Sequence, residues 1–243
     1  MNLIIDVGNS FVKLAVFKAE TIMHQTQCAT VGLIEVLYAI KKEYSCIDYA
    51  IISSVGRLPK DAMALIESSF KVLILNASIK YPFINTYETP ETLGVDRLAL
   101  VAASVKKYPN KNVLIIDAGT CITYDFINEK NEYLGGAISP GLQMRYQALN
   151  GYTANLPLLE FETPDAIIGT STKKAMHSGV VYGVLNEIDG AVSLYSLKYS
   201  DLTVILTGGN TKFLSKQLKS SIFALPNFLL EGLNYILQIN TNE

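Results

Sequence analysis

Two short segments of the chain place an aspartate and a glycine directly after an apolar run. Leu3–Ser10 has the sequence LIIDVGNS, and Leu114–Cys121 has the sequence LIIDAGTC. An aspartate that leaves a buried strand needs water, a partner or a cation, and a glycine lets a ligand approach the backbone. Successive backbone N–H groups in such a turn can bind an anion. Each segment alone predicts either this binding turn or a hairpin turn whose aspartate bonds its own backbone.

The repetition of the pattern favours the binding turn. The aspartates are separated by 117 − 6 = 111 positions in a chain of 243 residues, close to half of its length. Both segments share the Leu-Ile-Ile run, and both precede a second strand-like run, so we interpret them as an internal duplication. The expected halves are residues 1–110 and 111–243. Two facing turns can hold a polyphosphate, and their aspartates can bind a cation directly or through water.

A carboxylate and a guanidinium stand together in Gly94–Arg97 (GVDR), at the start of a predicted helix. An aspartate in a first helical turn is favoured by the helix dipole alone. The functional alternative is that Asp96 accepts a hydroxyl proton while Arg97 pairs with an anionic group of a ligand. Upstream, Tyr87 lies in a proline-containing loop that can pack over a small substrate.

Two glycine-rich segments have no established role from their sequence alone. Gly135–Gly141 (GGAISPG) suits a close approach of the backbone either to a ligand or to a neighbouring element. Thr207–Asn210 (TGGN) follows an apolar run and can receive a nucleoside or a phosphate. Neither segment has the spacing of the dinucleotide-binding fingerprint or of the phosphate-binding loop.

Short apolar runs alternate with longer periodic segments, which predicts an α/β protein. The predicted strands are Leu3–Ile5, Phe11–Phe17, Ala50–Ile52, Val72–Leu75, Val113–Ile116, Thr123–Ile127 and Thr203–Leu206. The predicted helices are Gly32–Lys42, Lys60–Ser69, Val95–Lys107, Thr172–Tyr195, Thr211–Lys219 and Leu229–Gln238.

The composition excludes several classes of protein. With 20 basic and 22 acidic residues the net charge is −2, which argues against a nucleic-acid partner. No apolar run approaches the ~18 residues that span a bilayer, and Asp6 interrupts the segment where a signal peptide would lie. Three separated cysteines and two histidines form no disulfide framework or zinc motif. We therefore expect a cytoplasmic protein with reduced thiols.

The segments resemble, in order and spacing, the motifs of the type III pantothenate kinases. The resemblance runs from about residue 3 to about residue 210 and rests on five motifs: Asp6–Ser10, Gly94–Arg97, Asp117–Thr120, Gly135–Gly141 and Thr207–Gly209. It implies the fold of the acetate and sugar kinase/Hsc70/actin superfamily, in which two ribonuclease-H-like halves enclose ATP in a central cleft. It also implies the first step of coenzyme A synthesis, the phosphorylation of pantothenate by ATP to 4'-phosphopantothenate.

The resemblance also implies roles for individual residues. Asp96 would be the catalytic base. The ATP-binding residues would be Asp6, Val7, Gly8, Asn9, Ser10, Phe11, Val12, Lys13 and Thr120. The pantothenate-binding residues would be Tyr87, Gly94, Val95, Asp96, Arg97 and Thr172.

The resemblance further implies cofactors and an oligomeric state. Asp117 would bind an activating monovalent cation, K⁺ or NH₄⁺, and Mg²⁺ would accompany ATP. The expected assembly is a homodimer. Two alternatives remain: another small-molecule kinase of the same superfamily, and a non-enzymatic accessory factor in gene regulation. The presence of Asp6, Asp96 and Asp117 favours an enzyme.

Overall fold

The computed structural model describes residues 1–8, 11–54 and 58–241. The strands are β1 (Asn2–Val7), β2 (Val12–Lys18), β3 (Thr21–Cys28), β4 (Tyr49–Ser54), β5 (Lys71–Ile74), β6 (Ile84–Asn85), β7 (Val113–Ala118), β8 (Cys121–Ile127), β9 (Glu132–Pro140), β10 (Thr203–Thr207) and β11 (Phe223–Ala224). The helices are α1 (Leu33–Glu43), α2 (Lys60–Ser69), α3 (Val95–Lys107), α4 (Leu142–Gly151), α5 (Thr172–Lys198), α6 (Thr211–Leu214) and α7 (Phe228–Thr241).

The chain divides into two compact units. Unit 1 contains Met1–Pro109, Asn131–Tyr133 and Asn227–Glu243, and unit 2 contains Asn110–Lys130 and Leu134–Pro226. The sequence predicted a single boundary after residue 110, whereas the C-terminal helix α7 packs within unit 1. This packing needs Gly232, because a Cβ atom there would overlap the backbone carbonyl of Ala99 in α3.

Unit 1 is built on a sheet with the strand order β3-β2-β1-β4-β5. β1 pairs antiparallel with β2 and parallel with β4. Side chains alternate between the two faces of a strand, so Leu3 and Ile5 pack in a core with α1 and α2, whereas Ile4 packs with α3 and α7. Helices therefore cover both faces of the sheet.

Unit 2 repeats this arrangement in the order β11-β10-β7-β8-β9. β7 pairs antiparallel with β8 and parallel with β10, as β1 does with β2 and β4. Strand β6 instead pairs with Glu132 and Tyr133 at the start of β9, and these residues all lie in unit 1. The predicted α/β class and the duplication of a strand–turn–strand segment are confirmed.

Helix α3 illustrates why local sequence fixes an element. It begins after Gly94, has Asp96 in its first turn and has Lys106 and Lys107 in its last turn, which complements the helix dipole at both ends. It ends before Tyr108 because the following Pro109 disfavours a helical conformation at the preceding residue. The predicted bounds of α2 and α3 agree with the structure.

Several elements differ from the sequence-based expectation, and the strands β3, β6 and β11 were not predicted. The helix expected over Thr211–Lys219 ends at Leu214, and the chain continues in turns, in which the N–H groups of Lys216 and Gln217 donate to the carbonyls three residues before them. The Asp189 carboxylate then accepts hydrogen bonds from the N–H groups of Lys219 and Ser220. Helix α4 was not predicted. Strand β9 was treated as a glycine-rich segment, since its glycines hide the alternation that marks a strand.

The described residues contain no helix with both the length and the apolar character needed to cross a membrane.

Candidate active site

Asp6 is the first charged residue of the site, near the end of the central strand of unit 1. The register places Lys13 of β2 directly opposite it on one side and Ser53 of β4 on the other. Because neighbouring residues at the same register lie on the same face of a sheet, these three side chains come together. The local sequence predicted Asp6 and Lys13, but nothing in it indicated Ser53.

The carboxylate of Asp6 is in an unusual electrostatic environment. It is only 7% exposed, and burial raises its pKa from an ordinary value of 3.8 to about 6. The Lys13 ammonium and the Ser53 hydroxyl lower this pKa, and the nearby Asp96 carboxylate raises it. Asp6 and Asp96, which are 90 positions apart in sequence (96 − 6), are therefore close enough to interact.

Asp96 is oriented by the start of α3. Its Oδ1 accepts a hydrogen bond from the backbone N–H of Arg97 at 2.9 Å. A Cβ atom on Gly94 would lie 2.5 Å from that Oδ1, so only glycine leaves room for the carboxylate in this orientation. Val95 packs against the core beside α3 and α7. The GVDR motif thus positions one carboxylate and one guanidinium at the same helix end.

The side chain of Arg97 packs against an aromatic ring from another part of the chain. Its side chain is buried, and its Cζ lies 5.6 Å from the centroid of the Tyr87 ring, a cation–π arrangement. Tyr87 stacks on Tyr133 with a centroid separation of 6.1 Å and an interplanar angle of 12°. The structure therefore brings together Tyr87 and Arg97, two residues predicted to bind substrate, and adds Tyr133.

The remaining residues of the first turn differ in what they can offer a ligand. Val7 and Val12 have side chains buried in the core of unit 1, so only their backbones are available. The N–H of Gly8 donates to the carbonyl of Phe11 at 3.1 Å, and the Phe11 side chain is half exposed. Asn9 and Ser10, which were also predicted to bind ATP, lie outside the described residues.

Asp117 occupies the equivalent position in unit 2. The register places Thr123 of β8 and Thr207 of β10 on either side of it. Gly208 has a φ of 92°, a conformation that favours glycine, and a Cβ atom there would overlap the Asp117 carboxylate and the Ala118 carbonyl. Carboxylate, carbonyl and hydroxyl oxygens thus lie around this turn.

Thr120 is exposed at the tip of the second turn, where its side chain is accessible to a ligand. Its carbonyl accepts a hydrogen bond from the N–H of Gly141 at 3.1 Å. A Cβ atom on Gly141 would overlap this carbonyl, and one on Gly136 would overlap the backbone of Tyr124. The segment Gly135–Gly141 therefore approaches a neighbouring element of unit 2 closely, one of the two alternatives that its sequence left open.

Thr172, predicted to bind substrate, is the first residue of α5 in unit 2. It lines an apolar groove of about 840 Å³ together with Leu149, Tyr152 and Met176. The other predicted substrate residues lie in unit 1, so the structure of either unit alone does not bring Thr172 to them. Its role stays a prediction.

The carboxylates of Asp6 and Asp96 could bind a divalent cation only together with ligands from outside the chain, such as phosphate oxygens. No group of three or more His, Cys, Asp or Glu side chains that could hold a metal occurs within 1–8, 11–54 and 58–241. The two interacting carboxylates of unit 1 are compatible with Mg²⁺, which typically uses one or two carboxylates plus substrate phosphates and water.

Two residues of the site, Ser53 and Tyr133, were missed from the sequence. Ser53 is the second-to-last residue of β4, and Tyr133 is the second residue of the unpredicted strand β9. No local pattern marks either residue, because their proximity to Asp6 and Tyr87 arises from strand pairing across distant parts of the chain.

Comparison with solved structures identifies the class of the fold. A ROK family glucokinase from Streptomyces griseus, in complex with glucose and AMPPNP, matches with a TM-score of 0.54 and 10% identity, covering 100% of this chain and 99% of its own. A Campylobacter jejuni protein described as a Baf family transcriptional activator matches with a TM-score of 0.61 and 20% identity, covering 99% and 100%. At these identities the likeness shows the fold alone, and it agrees with the two ribonuclease-H-like halves that the resemblance implies.

The sequence comparisons identify the family. The family model for type III pantothenate kinase matches residues 2–194. A type III pantothenate kinase from Christiangramia forsetii is 47% identical over 243 residues and covers 100% of both chains. One from Flavobacterium johnsoniae is 44% identical over 238 residues and covers 98% of both. The chain belongs to the type III pantothenate kinase family.

Proposed function

We propose that this protein transfers a phosphoryl group from ATP to the primary hydroxyl of pantothenate, the first step of coenzyme A synthesis. The observation that carries the proposal is the helix start of unit 1, where Asp96 is oriented by Arg97 and Gly94 and lies close to Asp6. Family membership supplies the acceptor, and this site supplies groups suited to its phosphorylation.

Asp96 is the proposed catalytic base. In phosphoryl transfer the protein acts mainly by positioning the reactants and by neutralising charge. The carboxylate orients the pantothenate hydroxyl and accepts its proton late in the reaction, for which a strong base is unnecessary. The hydrogen bond from Arg97 leaves the second oxygen of Asp96 available for this role.

The proposed ATP contacts come from both turns. Asp6–Lys13 supply backbone N–H groups and the Lys13 ammonium, which suits a phosphate as a point charge. Because the side chains of Val7 and Val12 are buried, these two residues contribute only through their backbones. Thr120 contributes an exposed hydroxyl.

The proposed pantothenate contacts are Tyr87, the segment Gly94–Arg97, and Thr172. The Arg97 guanidinium pairs with the carboxylate of pantothenate or with a carbonyl group of the substrate. Tyr87 supplies an apolar ring face beside it.

Mg²⁺ is the proposed divalent cofactor, held by Asp6 together with the phosphates of ATP. When bound, the metal neutralises negative charge on the phosphates. For the chain itself, such a charge would favour the ionised form of Asp6, whose pKa burial raises to about 6.

A monovalent cation, K⁺ or NH₄⁺, is the proposed activator at Asp117. The carboxylate lies beside the Ala118 carbonyl and the backbone of Gly208, and hard cations prefer such oxygen ligands. Thr123 and Thr207, at the same register, add no positive charge that would compete with a cation.

We further propose a cytoplasmic homodimer. Large apolar side chains are exposed around the groove that contains Thr172 and in the segment that precedes it: Tyr152 is 91%, Ile167 is 70% and Ile168 is 77% exposed. Exposed apolar side chains that adjoin one another mark interaction surfaces. Light scattering at micromolar concentration should give a mass of twice 26.7 kDa; a monomer with full activity would contradict the dimer.

The decisive experiment is a coupled assay of ADP formation with ATP, Mg²⁺, K⁺ and pantothenate. Mass spectrometry should detect one molecule of 4'-phosphopantothenate for each molecule of ADP formed. A parallel panel of sugar acceptors separates this activity from that of another kinase with the same fold. Phosphorylation of a sugar without phosphorylation of pantothenate would overturn the proposal.

A further inference from the structure

Tyr133 is a buried aromatic residue that none of the sequence motifs contains. Its side chain is 0% exposed, yet its ring is stacked on Tyr87 with an interplanar angle of 12°. The Tyr87 ring in turn lies beside the Arg97 guanidinium, at 5.6 Å from centroid to Cζ. We call these three side chains the acceptor stack: Tyr133, Tyr87 and Arg97.

The backbone around Tyr133 reinforces the same arrangement. The carbonyl of Tyr133 accepts hydrogen bonds from the Thr86 N–H at 3.1 Å and from the Thr86 hydroxyl at 2.7 Å. The neighbouring N–H of Ile84 donates to the carbonyl of Asn131 at 2.9 Å. Because β6 has only two residues, the three-residue segment Asn131–Tyr133 is a principal attachment for the loop that carries Tyr87.

We propose that Tyr133 is a positioning residue for the acceptor: it fixes the ring of Tyr87 and, through that ring, the guanidinium of Arg97. This inference rests on the proposed function, in which Tyr87 and Arg97 contact pantothenate. Tyr133 itself has no exposed surface with which to contact the substrate, so its effect must pass through Tyr87. Pantothenate affinity, rather than ATP affinity, depends on it.

The expected kinetic signature is selective for one substrate. Replacing the ring in Tyr133→Leu removes the stacking surface, and we expect a rise of about three- to tenfold in KM for pantothenate. KM for ATP and kcat should change by less than about twofold, because Asp6 and Asp96 are held by other contacts. Tyr133→Phe keeps the ring and should restore KM to within about twofold of the unsubstituted enzyme.

A double-mutant cycle tests whether the effect passes through Tyr87. If it does, Tyr87→Leu combined with Tyr133→Leu should raise KM for pantothenate no further than Tyr87→Leu alone. Effects that multiply would show that Tyr133 acts independently of Tyr87 and would overturn the proposal.

Phe83 provides the matched control for a purely structural effect. Its ring contacts Tyr133 edge-on, with a centroid separation of 6.2 Å and an angle of 70°, but it is outside the acceptor stack. Phe83→Leu should lower the melting temperature without the selective change in KM. If Phe83→Leu and Tyr133→Leu raise the KM values of both substrates equally, Tyr133 is structural and the proposal fails. Should Tyr133→Leu not fold, Tyr133→Met fills more of the ring volume and is judged by the same criteria.

A measurement without substrate separates this inference from the proposed function. Hydroxyl-radical labelling followed by mass spectrometry reports the accessibility of Tyr87 in the intact chain. Tyr133→Leu should increase the labelling of Tyr87 at least about twofold while leaving that of Tyr38, which is 58% exposed on α1, unchanged. Unchanged labelling of Tyr87 would overturn the stack even if the enzyme phosphorylates pantothenate, whereas increased labelling in an enzyme inactive on pantothenate would contradict only the proposed function.

Discussion

The two halves of the duplication place an aspartate at the same position and surround it with different chemistry. In unit 1, Asp6 lies between Lys13 and Ser53 at the same register. In unit 2, Asp117 lies between Thr123 and Thr207. One central strand therefore ends in a carboxylate beside an ammonium group, and the other ends in a carboxylate between two hydroxyls.

This difference suits the two copies of the fold to different parts of the proposed reaction. Unit 1 adds Asp96 and Arg97, so it contains acidic and basic groups that can orient a hydroxyl and bind phosphates. Unit 2 has uncharged oxygens around its aspartate, and these suit a bound cation. No lysine ammonium among the described residues lies at the same register to compete with that cation, as Lys13 does in unit 1. The duplicated backbone sets where the side chains lie, and the cross-strand neighbours set what they can do.

Among the predicted changes, the loss of activity on replacing Asp96 in unit 1 should be the largest. Asp96→Asn removes the proposed base, and we expect kcat to fall by about 10³-fold. The melting temperature and the affinity for ATP, measured by calorimetry, should stay near those of the unsubstituted enzyme, because an amide oxygen can still accept the hydrogen bond from Arg97. A kcat within tenfold of the original would show that unit 1 does not supply the base.

Replacing Asp6 should reveal the cost of burying its charge. Its folded-state pKa of about 6 exceeds its ordinary 3.8, so the folded state binds a proton more tightly than the unfolded state. Stability contributed by the neutral form is therefore complete below about pH 4 and is lost as the pH rises to about 6. Above that pH the ionised carboxylate costs roughly 3 kcal/mol.

Asp6→Asn stays uncharged across this range, so its unfolding free energy relative to the unsubstituted protein should increase between pH 4 and pH 7.5. Urea denaturation of the apo protein at both pH values measures the increase. The exposed Glu67 provides the control, since Glu67→Gln should show little change. A constant difference for Asp6→Asn would mean that the burial of Asp6 is not costly in solution.

The cation prediction concerns unit 2. Activity should be about tenfold higher with K⁺ or NH₄⁺ than with Na⁺ at equal ionic strength, and Asp117→Asn should remove this preference by deleting a charged ligand. Initial rates in the three chloride salts measure the preference. Equal rates in Na⁺ and K⁺ for the unsubstituted enzyme would argue against a selective cation site.

A second variant transfers the chemistry of unit 1 into unit 2. Thr123→Lys gives Asp117 the cross-strand neighbour that Asp6 already has. The tethered ammonium should occupy the place of the cation and make the rate insensitive to K⁺, whereas Thr123→Ser should keep the dependence. Persistent K⁺ dependence in a folded Thr123→Lys variant would show that the register does not control the cation.

The sequence predicted the central features of this comparison and missed the ones that depend on distant pairing. The duplicated segments, the helix start at Gly94 and the α/β class follow from local patterns of apolar residues, turns and caps. Ser53 and Tyr133 do not, because strand pairing brings them to Asp6 and Tyr87 from far along the chain. The C-terminal helix was assigned to the second half, since nothing local shows that Gly232 lets it pack on α3.

The smallest expected effect is a difference in stability between alanine substitutions in the two Asp-x-Gly turns. Their sequences are alike, but the N–H of Gly8 donates to the carbonyl of Phe11 at 3.1 Å, three residues ahead, whereas that of Gly119 donates to Cys121 at 2.9 Å, two residues ahead. A Cβ atom would lie 3.2 Å from the Phe11 carbonyl at Gly8 but 4.0 Å from the nearest atom at Gly119.

Neither glycine has a positive φ, so the difference between alanine substitutions should reflect space alone. Gly8→Ala should destabilise the protein by about 1 kcal/mol, because the first turn must shift to admit the methyl group. Gly119→Ala should be neutral or stabilising by about 0.5 kcal/mol, since alanine restricts the unfolded chain without strain in the fold. The urea midpoints of the two variants measure the difference. Equal losses of stability would mean that the second turn is as tightly constrained as the first, and that the two halves differ only in their side chains.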